Sequence, residues 1–99
     1  MVEGVRELHN LNIVHRDLKM DNICIDKDEN AFIGDLGLAC FKDDLKKKNF
    51  KVVGTRGYFS YEMVQICRGN GDIREYDEKV DIWNLGIILY EMIFGDLPF

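Results

Sequence analysis

Residues 81–94 constrain the possible folds most strongly, because the helix that they predict is apolar on nearly every side. Asp81 is a good N-cap residue, Gly95 is a typical helix stop, and Pro98 follows closely. The apolar positions are Ile82, Trp83, Leu85, Ile87, Ile88, Leu89, Tyr90, Met92 and Ile93. A helix without a wide polar face is normally covered by neighbouring elements all round. We therefore expect this helix to lie at the centre of a larger fold, because the short elements predicted around it cannot cover all of its sides.

The other predicted elements are short and of both kinds. They are a helix over 2–11 with an apolar stripe (Val2, Val5, Leu8 and Leu11), strands over 22–26 and 31–34 joined by a polar turn, and a helix over 61–67. Residues 35–60 follow neither the helical nor the strand period, which predicts a long loop, and 68–72 predict a turn-rich connection. Together these patterns indicate a mainly helical α+β chain with one small β-hairpin.

The composition excludes several classes of protein. The chain has 99 residues, 13 Lys plus Arg and 18 Asp plus Glu, so its net charge of −5 argues against sequence-independent nucleic-acid binding. The longest apolar stretch, 82–94, is interrupted by Asn84, Gly86 and Glu91, and it is shorter than the roughly 20 residues of a membrane span. The first residues carry no basic start followed by an apolar run, so we expect no secretory signal.

The cysteines and histidines predict neither a disulfide framework nor a metal site. Cys24, Cys40 and Cys67 are odd in number and widely spaced, without a CxxC pair. His9 and His15 share no ligand spacing with them. We therefore expect buried or half-buried free thiols, a reducing compartment, and a cytoplasmic or nuclear location.

Five motifs follow one another along almost the whole chain. They are H-R-D-L-K-M-D-N at 15–22, D-L-G at 35–37, G-T-R-G-Y-F-S-Y-E at 54–62, D-I-W-N-L-G at 81–86 and G-D-L-P-F at 95–99. In this order they resemble the protein kinase family, whose catalytic loop is H-R-D-L-x-x-x-N. With Lys19 included, the first motif resembles H-R-D-L-K-x-x-N, the pattern of the Ser/Thr branch of that family. The resemblance implies the central part of the large C-terminal lobe, with a long activation-segment loop.

The resemblance also implies roles for individual residues. Asp17 would accept or orient the proton of a protein Ser or Thr hydroxyl, and Lys19 would stabilise the transferred phosphoryl group of ATP. Asn22 and Asp35 would supply the oxygen ligands that Mg²⁺ prefers, brought together by the hairpin over 22–34. Taken singly, Asp17, Asn22 and Asp35 are more typical of turns and caps. Taken together in the family's order, they favour the catalytic interpretation.

The resemblance also implies roles in regulation and on the substrate side for two further residues. Arg16 corresponds to the residue that often binds a phosphate on the activation loop, and Thr55 would lie on the substrate side near Asp17. Residues 38–53 contain no Ser, Thr or Tyr, so we expect no phosphorylation switch within them.

The motifs also indicate that 1–99 is only a part of a kinase domain. The sequence contains no glycine-rich phosphate loop, no V-A-I-K lysine and none of the later helices of the large lobe. We therefore expect the small N-terminal lobe to be absent and the 99-residue chain alone to be catalytically incompetent. Two alternatives stay open, namely a catalytically inactive kinase-like interaction module and a remnant without function.

Overall fold

The computed structural model describes residues 1–45, 52–69 and 71–99. The helices of these ranges are α1 (Val2–Asn10), α2 (Lys42–Leu45), α3 (Tyr61–Arg68) and α4 (Lys79–Phe94), and the strands are β1 (Ile13–Val14), β2 (Ile23–Ile25), β3 (Ala31–Ile33) and β4 (Cys40–Phe41). A single 3-10 turn, Met20–Asn22, precedes β2. This is the predicted α+β combination. Residue 70 of the predicted 68–72 connection and the lysines at 46–48 lie outside the described residues.

The predicted hairpin is confirmed to within one residue at each end. Strands β2 and β3 pair antiparallel with Cys24 opposite Phe32. The turn is closed by Asp26, whose carboxylate accepts the backbone N–H groups of Asp28 and Asn30 at 2.9 Å each. These bonds favour the charged carboxylate, and the bond from Asn30 is the main cause that lowers the pKa of Asp26.

A second antiparallel pair was not predicted. Strands β1 and β4 are two residues each, with Val14 opposite Cys40. The β4 strand and helix α2 both lie inside the predicted loop 35–60. Two residues are too short to display a period of two, so the sequence pattern could not reveal either strand.

Helix α4 lies between two apolar clusters. The first cluster joins it to α1 and to the loop after β1 through Val5, Leu18, Tyr58, Ile87 and Ile88. The second joins it to β1, α2 and α3 through Val14, Leu45, Met63, Tyr76 and Val80. The helix begins two residues earlier than predicted, and Asp81 is not its N-cap. The side chain of Asp81 is fully buried and bonded to other elements, as described below.

One face of α4 is left exposed. Ile82, Leu89 and Ile93 follow the i, i+7, i+11 spacing of one helix face and are 54%, 55% and 65% exposed. The exposed face agrees with the expectation that the short elements of this chain cannot cover the helix on all sides. The predicted stop at Gly95 is confirmed by its left-handed backbone (φ 77°).

Helices α1 and α3 agree with their predicted positions. In α3 the Ser60 hydroxyl accepts the Met63 backbone N–H at 3.3 Å, a standard N-cap bond. In α1 only Val5 of the predicted stripe is fully buried, whereas Val2 and Leu11 are exposed. The predicted stripe is therefore buried mainly at Val5, because the helix meets its neighbours mainly through its middle turn.

An ion pair fixes the segment that follows β4. Lys42 Nζ lies 2.9 Å from Glu78 Oε1, which joins the first residue of α2 to the N-cap position of α4. The Lys42 backbone N–H donates to the Asn12 carbonyl at 2.7 Å. The hydrogen bond from Lys42 is the main cause that lowers the pKa of the Glu78 carboxyl. The pair therefore stabilises the fold only while Glu78 is ionised.

The cysteines are free, as predicted, but their expected burial was wrong. Cys24 and Cys67 are exposed and only Cys40 is half-buried. Within the ranges described, the helices are all too short or too polar to cross a membrane.

The exposed face of α4 predicts self-association of the 99-residue chain produced alone. Contiguous apolar side chains that lack cover favour association in water. Sedimentation velocity at increasing concentration should show oligomers, and replacing Leu89 and Ile93 together by Lys should shift the distribution toward monomer. Replacing exposed Glu3 and Glu7 by Lys, at the same number of sites, should not. A monodisperse wild-type monomer with a cooperative thermal transition would contradict this expectation.

The Lys42–Glu78 pair predicts a pH-dependent loss of stability. Because the folded-state pKa of Glu78 is lowered, its contribution is present above the unfolded value and disappears as pH falls through the folded value. Lys42→Met should therefore cost about 0.5–1 kcal/mol at pH 7, the range of partly exposed pairs, and much less at a pH low enough to protonate Glu78 in the folded state. Urea unfolding, followed by Trp83 fluorescence, measures the cost at both pH values. It is carried out in the Leu89→Lys/Ile93→Lys background, which we expect to be monomeric. Lys27→Met is the exposed control, and an equal deficit for Lys42→Met at both pH values would refute the linkage.

Candidate functional site

A buried carboxylate anchors the loop that carries the first motif. Asp81 is 0% exposed, and its two oxygens accept the backbone N–H groups of His15 and Arg16 at 2.9 Å each. His9 Nε2 lies 2.8 Å from the same carboxylate. A buried charge is costly unless donors surround it, and here the donors come from α1 and from the loop after β1. The contact therefore fixes that loop on the first turn of α4.

The fully buried His15 connects this loop to the hairpin. Its Nε2 lies 3.0 Å from the Gly34 carbonyl, and the Asp17 backbone N–H donates to its Nδ1 at 3.1 Å. A carbonyl can only accept and an amide N–H can only donate. The two bonds therefore assign the neutral tautomer with the proton on Nε2. Sequence reasoning gave His15 no role apart from its place in the motif.

Asp17, Lys19 and Thr55 meet at the surface of this loop. The Thr55 hydroxyl donates to Asp17 Oδ1 at 2.7 Å, and Lys19 Nζ donates to the Thr55 hydroxyl at 3.0 Å. Thirty-eight residues separate Asp17 from Thr55 in sequence. The arrangement combines an acceptor, a hydroxyl and a cation in one chain of hydrogen bonds.

Asn22 holds the loop from its other end. Its Nδ2 donates to the Asp17 carbonyl at 2.7 Å, and the side chain is buried. The Gly34 backbone N–H donates to the Asn22 carbonyl at 2.8 Å, which closes the hairpin. Asp35 follows Gly34, so the hairpin brings the Asp35 backbone back to the start of β2. The expected approach of the Asn22 and Asp35 side-chain oxygens stays a prediction.

Asp35 sits at a sharp bend after the hairpin. Its backbone is left-handed (φ 53°), and its Oδ1 accepts the Gly37 N–H at 3.1 Å. The side chain is exposed. In the part of the chain that the structure describes, no three His, Cys, Asp or Glu side chains converge to form a metal site.

Arg16 makes two side-chain contacts that the sequence did not predict. Nε donates to the Leu38 carbonyl at 2.8 Å and Nη1 donates to the Tyr76 hydroxyl at 3.1 Å. Its backbone is left-handed (φ 71°). The only signal for Tyr76 in the sequence is its position as a lone aromatic residue in the polar stretch 71–79.

The segment around Thr55 is fixed on α4 by polar contacts. The Tyr58 hydroxyl donates to the Glu91 carboxylate, and Asn84 Nδ2 donates to the Tyr58 carbonyl. Burial and then the bond to Glu91 raise the pKa of Tyr58 to about 12, so its hydroxyl stays protonated. At Gly54 (φ 120°) a Cβ would lie 2.7 Å from the Arg16 carbonyl oxygen, so only glycine allows this approach.

A groove lies beside these residues and not over them. It measures about 750 Å³ and is lined by Arg56, Phe59, Arg68, Trp83 and Phe99 among others. The rings of Trp83 and Phe99 stack at 6.2 Å between centroids. None of Asp17, Lys19, Asn22 and Asp35 lines it, so the groove is separate from the polar cluster.

Comparison with known proteins places this arrangement in a family. The profile of the protein kinase domain matches residues 1–99. The chain is 39% identical over 98 residues to serine/threonine-protein kinase CLA4 of Candida albicans, covering 99% of the chain and 9% of that protein. It is 35% identical over 98 residues to CST20 of Candida albicans (99% and 7%) and 38% identical over 97 residues to SKM1 of Saccharomyces cerevisiae (98% and 14%).

These relatives are much longer proteins, of which the chain spans between 7% and 14%. Their names describe serine/threonine kinases, and the protein kinase family generally uses ATP and Mg²⁺ and acts on protein substrates. With a profile match over its whole length, the chain belongs to the protein kinase domain family.

Proposed function

We propose that residues 1–99 are the central part of the large C-terminal lobe of a serine/threonine protein kinase, a partial domain lacking the small lobe and the later helices. The complete protein would transfer the γ-phosphoryl group of ATP to Ser or Thr hydroxyls of protein substrates. The hydrogen-bonded cluster of Asp17, Thr55 and Lys19 is the observation that carries this proposal. The three free cysteines support a cytoplasmic or nuclear location.

Asp17 is assigned the contact with the substrate hydroxyl. The Thr55 hydroxyl occupies one carboxylate oxygen and so fixes the orientation of the group. The other oxygen accepts the hydrogen bond of the incoming Ser or Thr hydroxyl and takes up its proton during transfer. The new bond joins the hydroxyl oxygen to the γ-phosphorus, and the bond to the leaving diphosphate breaks.

We assign to Lys19 the stabilisation of negative charge on the transferred phosphoryl group. Its ammonium lies 3.0 Å from the Thr55 hydroxyl, which is bonded to Asp17. A compact cation held there stabilises negative charge that develops on the phosphoryl oxygens. The Thr55 hydroxyl therefore lies between the Lys19 ammonium and the Asp17 carboxylate, on the substrate side of the site.

Asn22 and Asp35 are assigned to Mg²⁺. The amide nitrogen of Asn22 is bonded to the Asp17 carbonyl, so the amide oxygen is the atom suited to a cation. The carboxylate of Asp35 supplies a second hard oxygen, and the phosphates and water supply the rest. When bound, the ion neutralises charge on the phosphates. The donor set fits, since hard oxygens are the ligands that Mg²⁺ takes.

Replacement of Asp17 tests the proposal in the complete protein that carries this chain. Asp17→Asn keeps the size of the side chain but removes its ability to take a proton, so kcat should fall by about 10²–10⁴-fold. Transfer of phosphate from ATP to a generic Ser/Thr substrate protein measures it. Asp28→Asn, in the exposed turn of the hairpin, is the matched control and should retain wild-type activity.

The outcomes separate the candidate functions. Wild-type phosphoryl transfer that persists in Asp17→Asn would overturn the assignment of this residue. A complete wild-type protein that transfers no phosphate would favour the inactive interaction module or the remnant over the kinase.

A further inference from the structure

Arg16 joins three parts of the molecule. Its backbone N–H is bonded to Asp81 on α4, its Nε to the Leu38 carbonyl, and its Nη1 to the Tyr76 hydroxyl. It directly precedes Asp17, and Leu38 lies three residues after Asp35. A shift of the guanidinium would therefore move the backbone beside both candidate site residues.

Tyr76 provides the rigid end of this connection. The residue is 5% exposed and packs with Val14, Leu45, Met63 and Val80. These side chains come from β1, α2, α3 and α4, so the ring is held by four elements. Its hydroxyl is therefore a fixed acceptor for the Arg16 guanidinium.

The Leu38 carbonyl and the Tyr76 hydroxyl, which accept hydrogen bonds from the Arg16 side chain, are both neutral oxygens. Arginine is the side chain best suited to bind a phosphate with two parallel bonds. Residues 38–53 offer no hydroxyl that could carry one. The carbonyl of Leu38 and the hydroxyl of Tyr76 occupy two of its five N–H donors instead.

We propose that Tyr76 is a positioning residue that holds Arg16 on the Leu38 carbonyl, so that the segment after Asp35 is fixed without a phosphate on residues 38–53. The turn in which the Ala39 N–H donates to the Leu36 carbonyl at 3.0 Å lies within that segment. Strand β4 follows it directly. The consequence for catalysis rests on the proposed kinase function, whereas the consequence for the segment's order does not.

Amide hydrogen exchange of the complete protein tests the positioning directly. Tyr76→Phe keeps the packed ring and removes only the hydroxyl, so the amides of Ala39 and Cys40 should exchange about tenfold faster. Tyr90→Phe, on the far part of α4, is the matched control and should leave them unchanged. Unchanged exchange in Tyr76→Phe would overturn the proposal.

A double variant distinguishes positioning from general destabilisation. In an Arg16→Ala background, Tyr76→Phe should add much less acceleration, because the bond that joins the two side chains is already absent. A purely structural role for the hydroxyl would accelerate exchange equally in both backgrounds, and that result would overturn the proposal.

Kinetics separate this inference from the proposed function. Tyr76→Phe should lower kcat/KM several-fold in the protein that retains Arg16 and have much less effect in Arg16→Ala. Asp17→Asn should lower kcat by about 10²–10⁴-fold in both backgrounds. If Asp17→Asn is inactive while Tyr76→Phe matches wild type in exchange and kinetics, only the inference fails. If the complete wild-type protein transfers no phosphate, the proposed function fails, and the exchange result still decides the inference.

Discussion

The buried carboxylate of Asp81 is the constraint on which the arrangement depends. Removing a carboxylate from water costs several kcal/mol unless hydrogen-bond donors replace the lost water. Here two consecutive backbone N–H groups and one imidazole nitrogen do so. Those donors belong to α1 and to the loop after β1, so the carboxylate can be satisfied only when both pack against α4. A polar requirement, and not apolar burial alone, sets their positions.

The candidate site follows from this anchor in two directions. Along the loop, the anchored backbone at 15–16 fixes the positions of Asp17 and Lys19, which follow it. The Asn22 side chain then donates to the Asp17 carbonyl. Along α4, Asn84 and Glu91 hold Tyr58, three residues after Thr55. Carboxylate, hydroxyl and cation thus meet through backbone and side-chain bonds to one helix. Such preorganisation is what phosphoryl transfer requires of a protein, since its work is mostly positioning and charge stabilisation.

Local patterns predicted the elements that carry their own signals. The hairpin has a polar turn between two apolar runs, and α4 has a long apolar sequence ending at Gly95. Strands β1 and β4 were missed because two-residue strands are defined by their pairing and not by their sequence. The local rule also misread Asp81 as a cap, because its carboxylate bonds to backbone N–H groups more than 60 residues away in sequence. The Arg16–Tyr76 bond spans 60 residues, and no local pattern encodes such a contact.

The exchange rates of the His15 and Arg16 backbone amides test the central role of the Asp81 carboxylate most directly. If these two N–H groups are bonded to a carboxylate that the fold cannot release, they should exchange only through global unfolding, as slowly as the core amides of α4. In Asp81→Asn, where the side chain can accept through one oxygen only, at least one of them should exchange much faster. Fast local exchange of both amides in the wild-type protein would contradict the account.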